Sequence, residues 1–191
     1  MAPKSERFSP EVLALMDSKS STGTPTTSLD LTKHNAASSI DGQLWGELLR
    51  AGFAHLVATK DECNRINVFP VPDGDTGTNM CLTVQGGVKS FGDKPPTADL
   101  AELSGTFAAR AMLTAQGNSG TILTFFFSTL SKEIGAGTKA LDVQAFMAAI
   151  GRVGTQMMKS MQSAKIGTML SVVQEASLGL AEKGQGAATV N

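Results

Sequence analysis

Seven consecutive positions, Asp73-Gly74-Asp75-Thr76-Gly77-Thr78-Asn79, hold two carboxylates, two glycines and three neutral side chains that carry oxygen. Hard oxygen donors at this density suit magnesium, which keeps several of its waters and reaches protein through one or two carboxylates while substrate phosphates complete its shell. The glycines let a backbone approach a phosphate closely. A helix beginning here turns free N–H groups and the positive end of its dipole toward the same anion. Carboxylates alone repel phosphate, and a cation between the two reverses that sign. The chemistry suggested is a magnesium-nucleotide site centred on Asp73 and Asp75. An acidic turn that merely caps a helix has the same composition, because Asp, Gly and Thr are all frequent there.

Better-known phosphate and metal motifs do not fit the chain. An EF-hand counted from Asp73 has Gly77 at its fifth position and Val84 in place of the twelfth-position glutamate. A haloacid-dehalogenase-type DxDx[TV] pattern needs Thr or Val where Gly77 stands, after a strand that Pro70 and Pro72 do not permit. Gly87-Val88-Lys89-Ser90 lacks the GKS of a P-loop, and Gly117-Asn118-Ser119-Gly120 is not a GxSxG elbow, since Thr121 takes its last place. Two further glycine turns do open apparent helices, Gln116-Gly117-Asn118-Ser119-Gly120 and Ile166-Gly167-Thr168-Met169. Each offers backbone N–H groups and a short hydroxyl on which a phosphate or ribose could rest, and three such helix starts suggest a shared mouth.

The elements that must position these turns are helical. Leu44, Trp45, Leu48, Leu49, Phe53, Leu56 and Val57 recur at steps of three and four, predicting a helix from about Asp41 toward Asn64 with one buried face. Pro70, Pro72, Gly74 and Gly77 break it into a structured loop. Helices are then expected over Thr78 to Phe91, Ala98 to Leu113, Asn118 to Ile134, Asp142 to Met161 and Thr168 to Glu182, with no long alternating strand and no closing helix after Gly184-Gln185-Gly186. Phe125-Phe126-Phe127 and Met157, Met158, Met161 and Met169 read as core packing rather than as a cofactor box or binding groove. Residues 1–40 read as a flexible leader: Ser18 to Ser39 is Ser/Thr-rich with little apolar content, and a short helix is predicted after Ser9-Pro10. One domain is expected over 41–191.

Composition excludes several classes. With 17% charged residues and a net charge of −1 there is no electrostatic footprint for nucleic acid. The longest strongly apolar uncharged run, Gly120 to Leu130, is about half of a membrane span. Cys63 and Cys81 form no CxxC, and with only two histidines no zinc set exists, so a reduced compartment is expected, the cytoplasm by default. His55 falls in the first helix and His34 in the leader, so no general base, and no catalytic residue beyond the metal site, is assigned.

Taken in order, Asn67-Val68-Phe69-Pro70-Val71-Pro72-Asp73-Gly74-Asp75-Thr76-Gly77-Thr78-Asn79-Met80, Gly117-Asn118-Ser119-Gly120 and Gly167-Thr168-Met169-Leu170 resemble the L (DhaL) domain of the dihydroxyacetone kinase family. The first stretch is most similar to the N-terminal nucleotide-binding domain of bacterial fatty acid kinases. The resemblance covers roughly Asp41 to Glu182. It implies an all-α fold, a barrel of antiparallel amphipathic helices holding Mg-ATP or ADP at one end, with the last helices lying beyond this sequence. It also implies that Asp73 and Asp75 bind magnesium, with Asn67 near the place of a third ligand. Thr76, Gly77, Thr78 and Asn79, then Gly117, Asn118 and Ser119, then Gly167, Thr168 and Met169 are implied to contact the nucleotide.

Two positions depart from the fatty acid kinase pattern: Gln116 stands for an arginine, removing a bidentate phosphate or carboxylate partner, and Ile166 for a glutamate. The implied activity is a phosphotransferase acting on a carboxylate or hydroxyl, of fatty acyl or of dihydroxyacetone (glycerone) type as in glycerol metabolism. The acceptor would be presented by a partner, an acyl carrier or a dihydroxyacetone-binding K domain. Phosphoryl transfer to a carboxylate needs no base, in keeping with the absence of one. A non-catalytic ADP/ATP-binding module, and a helical protein in which the acidic loop is only a turn, remain the alternatives.

Overall fold

The computed structural model describes residues 39–68, 71–91, 97–161 and 169–187. Its elements are β1 (Ser39–Asp41), α1 (Gly42–Arg65), α2 (Thr76–Lys89), α3 (Leu100–Leu113), α4 (Gly117–Ile134), β2 (Ala140–Asp142), α5 (Val143–Ser160) and α6 (Met169–Ala187). The fold is all-α, as expected. Among the described residues the one departure is a two-stranded antiparallel ribbon pairing Ser39 with Asp142, Ile40 with Leu141 and Asp41 with Ala140. Three-residue strands are too short to display alternation, so the sequence pattern is silent about them. The ribbon draws Ser39 and Ile40, assigned by composition to the leader, onto the helical body. The remainder of that leader, with the helix expected after Ser9, lies outside the described residues.

Helix boundaries move where tertiary contacts outweigh local signals. α2 starts at Thr76 rather than Thr78, α3 at Leu100 rather than Ala98, and α6 runs on to Ala187, through Gly184 and Gly186. Glycine costs a helix up to about 1 kcal/mol but does not forbid it. Gly135, at φ 81°, ends α4 as only glycine does without strain.

The apolar periodicity becomes two adjoining cores. Leu49, Phe53 and Val57 of α1 pack with Cys81 and Val84 of α2 and with Leu103, Phe107 and Ala111 of α3. Leu44, Leu100, Leu130 and Ile134 pack with Phe146, Ala149, Val153 and Met157 of α5 and Leu170 of α6. Trp45 touches both groups and meets Phe146 edge-on at 5.1 Å. Phe125, Phe126 and Phe127 all pack against these cores, Phe127 lying 4.6 Å from Phe107, and Met157, Met158 and Met161 join the second. The core reading holds for these residues, whereas Met169, half-buried, joins neither group. Phe107 is 1% exposed, and burial of a side chain of that size stabilises the fold by roughly 1.5–3 kcal/mol.

Helix direction separates two ends. At one, the starts of α1 and α3 meet through Gly42 N–H donating to the Ala98 carbonyl at 2.8 Å, and the ribbon adds the start of α5. At the other, the end of α1 meets the start of α2, and the α3–α4 turn folds over α2. Two of the glycine-rich turns, at residues 74–77 and 117–120, belong to this second end; Gly167 and Thr168 of the third lie outside the described residues.

Candidate functional site

The first end is sealed by aspartates. Asp41 accepts from Leu44 N–H at 2.9 Å, Asp99 from Glu102 N–H at 3.0 Å and Asp142 from Ala145 N–H at 2.7 Å, each a side-chain cap on the third residue of its helix. Leu100 and Ala101 N–H also donate to the carbonyls of Lys139 and Thr138, both at 2.9 Å. The donors that a helix start leaves unsatisfied are here consumed by protein.

The second end is left open. Asp75 occupies the N-cap position of α2, and Gln116 that of α4, and neither makes a side-chain capping bond. The two starts adjoin: the Ser119 hydroxyl donates to the Thr76 carbonyl at 3.5 Å, and Gly117, at φ 59°, sits so near Asn79 that a Cβ would lie 2.5 Å from its Nδ2. First-turn N–H groups of two helices, with their dipoles, thus point into one place.

The carboxylates lie on the loop that enters α2. Gly74, at φ 64°, makes the turn between them. Asp73 is exposed, and one of its oxygens accepts from Asn67 Nδ2 at 2.7 Å; Asp75 is half-buried. Asn67 therefore does come to Asp73, but offers its amide nitrogen, so any ligation would use its Oδ1. Among the described residues no three His, Cys, Asp or Glu side chains gather as a metal site. Two carboxylates beside neutral oxygens and open N–H groups nevertheless match what magnesium takes from protein when phosphate supplies the rest, so the residues fit the ion.

Other predicted site residues are placed less uniformly. Asn118 is exposed and Ser119 half-buried at the start of α4, both at the mouth. Gly77 and Thr78 turn into the protein instead. A Cβ on Gly77 would lie 2.2 Å from the Lys60 carbonyl oxygen, so this glycine sets the approach of α2 to α1. Thr78 is 8% exposed; its hydroxyl accepts from Asn64 Nδ2 at 3.0 Å and its N–H donates to Asn64 Oδ1 at 3.1 Å. Met169 opens α6, half-buried.

Two positioning residues escape sequence reasoning. Asn64 is one. Thr83 is the other, fully buried, with its hydroxyl donating to the Asn79 carbonyl at 2.7 Å and accepting from Gln116 N–H at 3.2 Å, while its carbonyl accepts from the Thr114 hydroxyl at 3.1 Å. It fixes the second turn against the first. Thr83 shares the buried face of α2 with Thr78 and Gln85 as well as with Cys81 and Val84, so no local pattern marks it. A cleft lined by Gly151, Gly154, Met158, Gln174, Ser177 and Leu178 lies between α5 and α6, formed by none of the site residues.

Comparison with known proteins bears on this arrangement. The DAK2 domain family matches residues 70–191. An uncharacterized protein of Staphylococcus epidermidis is 34% identical over 139 residues, which is 73% of this chain and 25% of that protein. Protein YloV of Bacillus subtilis is 33% identical over 137 residues, 72% of this chain and 24% of its own length. An uncharacterized Staphylococcus aureus protein is 33% identical over 149 residues, 76% of this chain and 26% of its own. The chain spans about a quarter of the length of these curated relatives.

Proposed function

Because the chain belongs to the DAK2 domain family, a kinase family that binds ADP or ATP and works with partner proteins or domains, we propose that its open end holds Mg-ATP for phosphoryl transfer. The observation that carries the reading is the contrast between the two ends. Aspartates cap three helices at one end, whereas at the other Asp75 holds the same position and makes no cap, beside a second helix start whose N-cap residue, Gln116, makes none either. An acidic turn that only capped a helix would spend its carboxylate on the helix.

In this reading Asp73 and Asp75 hold the magnesium, with Asn67 orienting Asp73 or ligating through Oδ1. The first-turn N–H groups of Thr76 and Gly77, with Asn79, Gly117, Asn118 and Ser119, bind phosphate oxygens. Thr78 supports the loop from below, and Gly167, Thr168 and Met169 line the nucleotide. Bound magnesium supplies neutralisation of the phosphate charge; the chain's own residues supply position and fixed dipoles. The acceptor, a carboxylate or hydroxyl of fatty acyl or dihydroxyacetone type, comes from a partner, and the domain spans 41–191. Among the described residues no helix is long and apolar enough to cross a membrane. One observation favours a non-catalytic nucleotide module: the N-cap of α4 is the uncharged, exposed Gln116, where the resemblance implies arginine.

Calorimetric titration of ATP, with magnesium and then with EDTA, tests the proposal. Binding should require magnesium and be lost in Asp73→Asn and Asp75→Asn, while thermal stability changes by less than about 0.5 kcal/mol, since neither carboxylate caps a helix. Equal affinity in both variants would sink it. Binding without transfer to any acceptor would favour the non-catalytic module.

A further inference from the structure

Three helices of this protein follow one rule. Asp41, Asp99 and Asp142 each accept from the N–H three residues on, with extended backbones at ψ −177°, 115° and 161°. Asp75 stands in the same position before α2, so the equivalent bond would come from Thr78 N–H. That N–H donates instead to Asn64 Oδ1 at 3.1 Å, and Asp75 has ψ 1°. Asn64 belongs to the last turn of α1, far away in sequence. Its other amide atom is used too, Nδ2 donating to the Thr78 hydroxyl at 3.0 Å. Its backbone carbonyl accepts from Asn67 N–H at 3.3 Å and lies 3.7 Å from where a Cβ on Gly74 would be. One asparagine thus braces both edges of the acidic loop and caps the helix that follows.

We propose that Asn64 is a positioning residue that caps α2 in place of Asp75, so that the Asp75 carboxylate is released from the helix and stays available to a cation. The role of Asp75 toward a cation rests on the proposed Mg-ATP reading; the exchange of caps does not. A carboxylate at an N-cap position has a strong preference for the first-turn N–H groups, and leaving it free requires that another acceptor already hold them. An amide can do this without adding a third negative charge beside Asp73 and Asp75, and its N–H₂ group anchors Thr78 at the same time.

Asn64→Ala leaves Thr78 N–H open, and Asp75 swings onto it. Magnesium-dependent ATP affinity then falls at least tenfold, while the melting temperature falls little, because one cap has replaced another. The double-mutant cycle is the signature that a merely structural asparagine would not give. Asp75→Ala alone leaves the melting temperature unchanged, whereas in the Asn64→Ala background it lowers it by a further roughly 2–4 °C, the value of a lost cap in a domain this size. Asn64→Asp keeps the acceptor for Thr78 N–H but adds the third charge and loses the Nδ2 bond, so ATP affinity falls less than in Asn64→Ala, whereas in Asn64→Gln, whose amide is displaced by one methylene, it falls as far as in Asn64→Ala. That pair decides the matter if the alanine variant does not fold. Additive melting shifts, or undiminished affinity in Asn64→Ala and Asn64→Gln, would overturn the proposal. If the wild-type chain binds no Mg-ATP the functional reading falls, and the melting cycle alone still decides whether the caps exchange.

Discussion

Substituting Gly77 by alanine is the sharpest test of how α2 is placed. The added Cβ would lie 2.2 Å from the Lys60 carbonyl oxygen and 2.9 Å from Cys63 Cβ. Comfortable non-bonded separations are about 3.5 Å, so α2 must move off α1 by roughly 1 Å. The closest obstacle is backbone, which cannot rotate aside as a side-chain tip can. Overpacking of this kind costs about 1–3 kcal/mol, and the better helix propensity of alanine returns about 0.5–1. The net loss, up to about 2.5 kcal/mol, lowers the melting temperature by as much as roughly 10 °C in a domain of this size. Because Gly77 is the second residue of α2, the same displacement carries the open N–H groups away from Asp73 and Asp75. Misplacement by 1 Å can cost on the order of a hundredfold. Magnesium-dependent ATP affinity, measured by titration calorimetry, should therefore fall tenfold to a hundredfold. Gly52→Ala in α1 is the control. Nothing lies within 4 Å of the place its Cβ would take, and the substitution should raise the melting temperature by roughly 1–4 °C without touching affinity. A Gly77→Ala protein as stable as wild type, with unaltered affinity, would refute the claim that helix contact sets the site.

Two further predictions concern ionisable groups away from the mouth. Burial pushes the Cys81 thiol up to about 12, against an ordinary 9.0, so a thiol reagent at pH 8 should spare it in the folded protein and label it only in denaturant. Since the unfolded thiol ionises first, stability is untouched below pH 9 and falls from there toward pH 12 by up to roughly 1.4 kcal/mol per unit, a slope that Cys81→Ala should remove in pH-dependent melting. Glu133 is held below its ordinary 4.5 mainly by its hydrogen bond with Arg152, at 2.7 Å, with Gln156 adding to it. Its contribution is present at neutral pH and declines as pH falls below 4.5; with Arg152 mostly exposed and Glu133 half-buried, Arg152→Ala should cost less than about 1 kcal/mol by denaturant titration at pH 7, and progressively less as pH is lowered through the carboxylate range.

The sequence alone determined the class of the fold and singled out the loop to which the proposed chemistry is assigned. Leu44, Leu49, Phe53 and Val57 could only be one face of a helix, because their spacing is that of a helical turn, and the structure buries all four. The acidic loop stood out because two carboxylates and two glycines in five positions are rarely assembled for packing. What no local pattern held was the way loop and helices share their hydrogen bonds. Asn64 and Thr78 are fourteen residues apart, and Thr83 reaches Gln116 thirty-three residues on. Gly77, legible as a flexible loop residue, is a contact point between helices, and Thr78, grouped with the phosphate contacts, faces inward to Asn64. The tertiary structure also decided which aspartates seal a helix and which stay open. Composition cannot tell Asp75 from Asp41, since each precedes a helix start. The difference lies in whether a distant acceptor already occupies the N–H three residues on, and only the packing of α1 against α2 brings that acceptor there.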